Sequence, residues 1–378
     1  MIMNVIGIIR NGIMYILPML LIKAMGIDSG SVIYKIAFVI SFVFACLAFI
    51  LRTETIQFKV FRCVMFVVFG ITIIFSGEYS LLLLGGLFIA LDIKLDSAVM
   101  NKLLCLTWWG GVASALLGLV LGLRDDQVII FYRSAFDFVE LKHTLGYSHA
   151  NLFAATICIG LMLAGTVLKS INLKLVLIMC CVEAVAFYLS RGITALIVFS
   201  IFITLVMLLQ SNLIHSRITG IIDLLSMGCL APPVLVLICL FCYNPRYGVW
   251  RELNIWLSGR LYLMNQIRMV YPISVCGQII ESGTATQDMA FPHILYTFGL
   301  IPTLVIAFMY MISIIRWKKT QNTHYLIICF CFLVYGMAEQ FFRNCFMNIS
   351  LILVAFETLK WFDEVSGKWV IKEKPRYT

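Results

Sequence analysis

Long apolar runs, each closed by a few polar residues, recur along the whole chain. Runs of the length that crosses a hydrocarbon core, about 17–25 residues, lie near 8–26, 33–51, 57–77, 97–121, 145–168, 173–190, 193–210, 221–243, 291–315, 324–341 and 344–361. A shorter run at 79–93 makes a twelfth segment, tilted or only partly inserted. Backbone groups in lipid must be hydrogen-bonded within their own segment, so each run predicts a helix. The expected fold is an all-α polytopic membrane protein of about twelve transmembrane helices, one integral membrane domain over 1–378 with both ends in the cytoplasm.

Composition makes the bilayer necessary. Hydrophobic residues make up 62% of the chain, charged ones 12%, and the mean hydropathy is +1.01. Soluble domains carry about 25% charged residues, and one this apolar would leave much of that surface in water. The formal net charge of +9 suits nucleic acid, but no basic stretch is interleaved with aromatics. Lys and Arg gathered in cytoplasmic loops account for it, and no nucleic-acid partner is expected. The 13 cysteines lie mostly inside apolar runs, as at Cys180-Cys181 and Cys329-Phe-Cys331. The Cys239-Leu-Phe-Cys242 spacing lacks a second ligand pair or a nearby His, so neither a metal nor a cofactor is expected. The N-terminus enters the first run with no A-x-A-like site, which predicts no cleavable signal.

Alternating the runs places Arg52, Lys59, Arg62, Lys94, Lys102, Lys169, Lys174, Arg217, Arg316, Lys318, Lys319 and the basic tail of 362–378 on one side, expected to be the cytoplasm. Eleven of fourteen Lys fall there, but eight of fourteen Arg fall on the other side. Those external arginines need another explanation. Two external segments are long, 122–144 and the main external loop 244–290, and long loops are more often functional. No internal repeat or matched pair of broken helices is visible, which disfavours repeat-built transporters.

Four places on that external side carry candidate chemistry. His149 and Asn151 open the helix after the first long loop; a neutral His there can act as a base, or these polar groups simply bond free helix N–H groups. Arg191, in the turn Ser190-Arg191-Gly192, presents a fork matched to phosphate or merely snorkels. Arg246, Arg251, Arg260 and Arg268 crowd the main loop without a Lys, as an anion site would. Alternatively, the main loop carries short amphipathic helices, with Trp250, Leu253, Trp256 and Leu257 of 250–270 on one membrane-facing side. Asp288 can orient a sugar hydroxyl or act as an N-cap. His293 starts the next run, and Glu339 with Arg343 can form an i, i+4 ion pair. All fall on the same membrane face. Arg133, in the first long loop, is added as a substrate-binding candidate.

The stretches LGYSHAN (145–151), LSRG (189–192), LSGRL (257–261) and QDMAFPHILYTFGLI (287–301), with MAEQFFRNCFMNISLIL (337–353), resemble the Wzy-type repeat-unit polymerases of O-antigen, capsule and exopolysaccharide. That group also includes the O-antigen ligases. The order of the stretches around one long external loop fits as well. Ala150 stands where the family's His-Pro-Asn motif has proline, and Met289 where an Asn commonly follows the aspartate. The ligase alternative wants a His in the main loop, which has none before His293. The resemblance implies a bacterial cytoplasmic-membrane enzyme working extracytoplasmically, without metal or nucleotide sugar. It would transfer a glycan from undecaprenyl diphosphate to a lipid-linked repeat unit, with a chain-length regulator and a flippase of the same pathway as partners. In that scheme Arg260 and Arg191, helped by Arg246 or Arg251, hold the diphosphate. Asp288 or His149 meets the acceptor hydroxyl, and Asn151 and Glu339 shape the pocket, with His293 and Arg133 nearby. A flippase or exporter of the same glycans is the rival from another class, but charge near the middle of the helices is almost confined to Glu183.

Overall fold

The computed structural model describes residues 7, 10–133, 138–168, 171–210, 218–281 and 288–372. The helices, in chain order, are α1 (Ile13–Ala24), α2 (Val32–Leu51), α3 (Ile56–Gly70, continued by Thr72–Ser76), α4 (Ser80–Ala90) and α5 (Ser97–Val120). After a hairpin come α6 (Ala150–Val167), α7 (Leu173–Ser190), α8 (Ile193–Gln210), α9 (Ile218–Gly228) and α10 (Ala231–Cys242). Then follow α11 (Gly248–Trp256), α12 (Arg260–Val270), α13 (Ala290–His293), α14 (Leu300–Lys319), α15 (Thr323–Gly336) and α16 (Ile349–Lys372). Among the described residues eight helices, α9 and α10 counting as one, are long and apolar enough to cross a membrane. The chain is a predominantly helical, polytopic membrane protein.

The helices are built inside out relative to a soluble bundle. On α2 the inward seam is Ala37, Ser41, Ala45 and Ala48, all buried. Its large aliphatics face away: Val32, Ile33, Ile36, Val39, Val43 and Ile50 are 54–71% exposed. Small residues let helix backbones approach where lipid is the solvent, and branched aliphatics meet the acyl chains. Inside that lipid-facing ring lie α4, α6, α15 and the first half of α16, buried almost all round.

The weak segment at 79–93 is α4, which has eleven residues. It rises about 16 Å at 1.5 Å per residue, against a hydrocarbon core of about 30 Å. All of it except Ser80 and Leu82 is buried, packed against α2, α3 and α16. Gly86 lets the Tyr15 ring close on it, and the Tyr15 hydroxyl donates to the Leu83 carbonyl at 2.7 Å. Its C-terminal carbonyls are capped by arginines. Arg52 donates to Ile89 O at 3.0 Å and to Arg10 O at 2.8 Å, and Arg62 donates to Phe88 O. Arg62 also forms a two-pronged pair with Glu54, both bonds 2.8 Å. Two cations that the sequence reads as surface charge are therefore buried helix caps, which complement the negative end of the α4 dipole. At the same end Arg316 on α14 clamps Glu357 (3.0 Å) and Glu364 (2.8 Å) of α16, and Lys318 meets Asp223 at 2.9 Å.

Three expectations change. The 122–144 loop contains a β-hairpin, β1 (Val128–Arg133) paired antiparallel with β2 (Phe138–His143), in a register that sets Ile129 opposite Lys142. The main loop carries short helices as expected, α11 and α12, parted where Ser258 and Gly259 adopt positive φ (54° and 82°), but their apolar residues do not form the expected single face. Trp250, Leu253 and Leu257 pack inward while Trp256 is 75% exposed, so the four do not share one face. The run 291–315 divides into α13, a π turn (Ile294–Phe298) and α14. There the left-handed residues Gly277 and Gly299 let the two backbones touch, so that 274–278 hydrogen-bonds onto the start of α14.

Candidate functional site

A cavity of about 680 Å³ opens at the end of the bundle opposite the arginine caps. It is walled by the end of α1 and its following turn, the α3–α4 turn, the start of α6, the segment after α15, and Ile129 and Lys142 of the hairpin. From the sequence candidates, His149, Asn151, Asp288 and Glu339 all line it. They come from places in the chain separated by up to 190 residues: His149, Asn151 and Asp288 at helix starts, and Glu339 just past the C-terminus of α15.

The His149 wall is fixed by a polar lattice. Tyr147 donates to the Ala24 carbonyl at 2.8 Å, Ser148 donates to Asp28 at 3.1 Å, and Arg124 reaches the carbonyls of Met25 and Gly146. The first long loop is thereby tied to the α1–α2 turn. His149 is the residue before α6, with extended backbone and no side-chain cap bond. Its exposed imidazole has no hydrogen bond or ion pair among the described residues, so both ring nitrogens remain available to a ligand.

Beside the cavity but outside its lining, Arg260 stands between two carboxylates that do line it, and its buried Nε has no hydrogen bond among the described residues. Its Nε is 3.9 Å from Asp288 and its Nη2 is 3.6 Å from Glu339. The Ser258–Gly259 turn aims it there by starting α12 at Arg260 itself. Asp288 is not the cap of α13, since Met289 takes that position. Glu339 does not pair with Arg343 along a helix either: α15 ends at Gly336, and the chain continues as a 3-10 turn over Gln340–Arg343. Burial pushes the Glu339 carboxyl up to about 7; the Arg260 charge opposes this, the Asp288 charge adds to it, and a hydrogen bond from Thr194 opposes it.

A second polar cluster forms the other pole. Arg343 contacts Glu78 and His293, and His293 Nε2 lies 3.6 Å from the same Glu78 oxygen. His293 is 4% exposed, its Nδ1 has no partner, and the π turn follows it directly. Burial would raise the Glu78 carboxyl, but His293 and Arg343 outweigh it and hold it down at about 2. Burial and the Arg343 charge push the His293 imidazole down to about 4, so it is neutral near pH 7. Lys23 lies at this pole too, 4.5 Å above the Tyr34 ring and without an ion pair among the described residues.

No protein-family model matches the chain, and no curated protein or solved structure matches it either.

The remaining candidates sit elsewhere. Arg191 is the left-handed cap residue of α7 (φ 56°), 5.0 Å over the Tyr188 ring, and does not line the cavity. It is three residues from Thr194, which bonds Glu339. Arg246 and Arg251 are exposed around the start of α11, outside the lining. Arg268 donates to the carbonyls of Leu240 and Phe241 at 2.8 and 2.7 Å, so it caps α10, and it does not line the cavity. The side chain of Arg133, at the end of β1, is outside the described residues, as are Lys169, Arg217 and the side chains of the basic tail from 368 onward. Sequence reasoning missed Lys23, Glu78, Asp28 and Lys142. Each is a single charge at the end of a helix or strand, and only their convergence distinguishes them from snorkelling side chains. Among the described residues no cluster of His, Cys, Asp or Glu could hold a metal.

Proposed function

We propose that this chain polymerises polyprenyl-diphosphate-linked oligosaccharide repeat units at the extracytoplasmic face of a bacterial cytoplasmic membrane, crossing that membrane about twelve times with both ends inside. One observation carries this reading. The stretches 145–151, 287–301 and 337–353, which resemble the repeat-unit polymerases, supply lining of one polar cavity at one end of a lipid-facing bundle, and Arg260 of 257–261 faces Asp288 and Glu339, while 189–192 lies outside the lining. The cavity volume suits sugar residues and a headgroup, and its surroundings suit polyprenyl chains.

In the transfer an acceptor hydroxyl attacks the anomeric carbon of the donor glycan. One carbon–oxygen bond forms, the bond to the diphosphate breaks, and the hydroxyl proton leaves to a base. Glu339, poised to about 7 by its burial, is matched to proton removal near neutrality, and the unbonded His149 faces the same space. Asp288 and Asn151 orient sugar hydroxyls. Arg260, engaged by two carboxylates, holds that pair in register and sets its basicity.

The test is deletion of the gene followed by analysis of lipid-linked glycans, with complementation by wild type, Glu339→Gln, His149→Ala and Arg260→Ala. Single lipid-linked repeats on the outer leaflet, restored to long polymer by wild type and not by the variants, are expected. Repeats trapped on the inner leaflet would indicate a flippase and overturn the proposal. So would polymer of normal length in both the His149 and Glu339 variants.

A further inference from the structure

The polymerase reading needs cations for the departing diphosphate, and Arg260, Arg191, Arg246 and Arg251 are poorly placed for it. None of the four lines the cavity, and Arg260 also faces two carboxylates. Two cations do line the cavity at its opposite pole, and they come from distant parts of the chain: Lys23 at the end of α1 and Arg343 after α15.

Their bonding is incomplete in a specific way. Arg343 uses only Nη1, toward Glu78 and His293, which leaves Nε and Nη2 without a hydrogen bond among the described residues. Lys23 has no ion pair, and its ammonium rests on the Tyr34 ring. Asp28 is close enough to be felt by Lys23, but its Oδ1 accepts the Ser148 hydroxyl and it forms no ion pair with the lysine. The Asp28 charge favours the Lys23 ammonium more than the Arg343 charge opposes it, and Glu78 pairs with Arg343. A fork of guanidinium N–H groups beside an ammonium is the donor set that diphosphate oxygens take up.

Resting on the proposed function, we infer that Lys23 and Arg343 form the diphosphate-binding pole of the cavity, with Glu78 and the buried His293 as positioning residues that fix the Arg343 fork. The reacting sugar then spans from this pole to Glu339 and His149, and Arg260 lies on the acceptor side. The ligand chemistry is a diphosphate, either the headgroup of a polyprenyl lipid or free inorganic diphosphate.

The experiment uses the full chain in nanodiscs and measures binding of inorganic diphosphate and, separately, of polyprenyl diphosphate in the disc. Lys23→Met and Arg343→Lys are compared with Arg191→Ala. Arg343→Lys keeps the charge opposite Glu78 while removing the fork, which guards against misfolding. Each of the first two should weaken binding about tenfold or more, the loss expected for one charge-assisted contact, and Arg191→Ala should leave it unchanged. Tight binding of the lipid form against weak binding of the inorganic form places the ligand on a lipid, and equal affinities place it free in solution. Wild-type affinity in Lys23→Met and Arg343→Lys, a loss in Arg191→Ala alone, or no binding of either diphosphate by wild type overturns the inference. If Lys23→Met loses diphosphate binding while gene deletion leaves polymer intact, the pole stands and the polymerase reading falls. Polymer lost on deletion, with unchanged binding in Lys23→Met, gives the reverse.

Discussion

Replacing Arg260 by Ala should move the titration of Glu339, and the size of the move follows from the geometry. The guanidinium is 3.6 Å from Glu339, and both side chains are 18% exposed. At that separation the gross attraction is about 4–5 kcal/mol for an effective dielectric near 20. Partial exposure and the remaining contact to Asp288 cut the net contribution to about 1.5–3 kcal/mol. At 1.36 kcal/mol per pH unit, that is about one to two units. Glu339, already pushed up to about 7 by burial, should then titrate near about 8–9, because Asp288 still faces it. The assay is infrared titration of the protonated carboxyl band in the purified protein in nanodiscs, assigned by its disappearance in Glu339→Gln. The measurement needs no substrate and is independent of the proposed reaction. A Glu339 band titrating near the ordinary value of about 4.3, or a midpoint that Arg260→Ala leaves unmoved, would refute the reasoning. The sign for stability is also fixed. Because the folded value is raised, the folded state holds the proton more tightly than the unfolded chain. The contribution of Glu339 is least unfavourable below about 4.3 and becomes costlier as pH rises through about 7, by about 2–3 kcal/mol.

The Glu78–His293–Arg343 cluster responds in the opposite direction. Glu78 is held down at about 2 and His293 at about 4, so its stabilisation is complete above about 6.5. It falls as acid first charges the imidazole and then neutralises the carboxylate. Melting followed by near-ultraviolet circular dichroism should show about 2–3 kcal/mol lost by pH 4, and His293→Gln should remove the upper part of that slope. Arg62→Ala should cost about 3–5 kcal/mol in denaturant unfolding, because it strands Glu54 and the Phe88 carbonyl where Arg62 is fully buried; a cost below about 1 kcal/mol would refute the capping role. Gly86→Ala puts a Cβ 2.2 Å from the Tyr15 hydroxyl and should destabilise by about 1–3 kcal/mol, and Gly86→Ala with Tyr15→Phe should recover part of it. Tyr147→Phe removes the bond to Ala24 O and should cost about 1 kcal/mol while speeding hydrogen exchange at residues 145–149.

The helices were legible because lipid imposes a single solution on an apolar run of sufficient length. That is why α2, α5, α7 and α8 lie within a few residues of their expected places. The common end of His149, Asn151, Asp288 and Glu339 was legible as well, since alternating runs fix the side without any coordinates. Three things were not. The strands at 128–133 and 138–143 hold only a short apolar run, VIIFY, too brief to span a membrane, and a search for spanning runs passes over its β-branched and aromatic character. Arg52 and Arg62 look like loop cations because nothing local says that α4 stops short and leaves carbonyls within their reach. Partnership was hidden too. Glu339 and Arg343, one helical turn apart in sequence, point to different partners because α15 ends at Gly336, three residues before Glu339.

The brevity of α4 also bears on how the chain is made. Eleven residues cannot anchor themselves across a bilayer as they leave the insertion machinery, and their last carbonyls would meet acyl chains uncapped. The hairpin of α2 and α3, synthesised just before, already carries Arg52 and Arg62 at its turn, and these two groups receive the end of α4. The final helix, α16, then packs along it. Insertion of the fourth segment is therefore conditional on its predecessors. Damage to either arginine should therefore leave α4 without its seat while the chain is being made, as well as destabilising the finished protein.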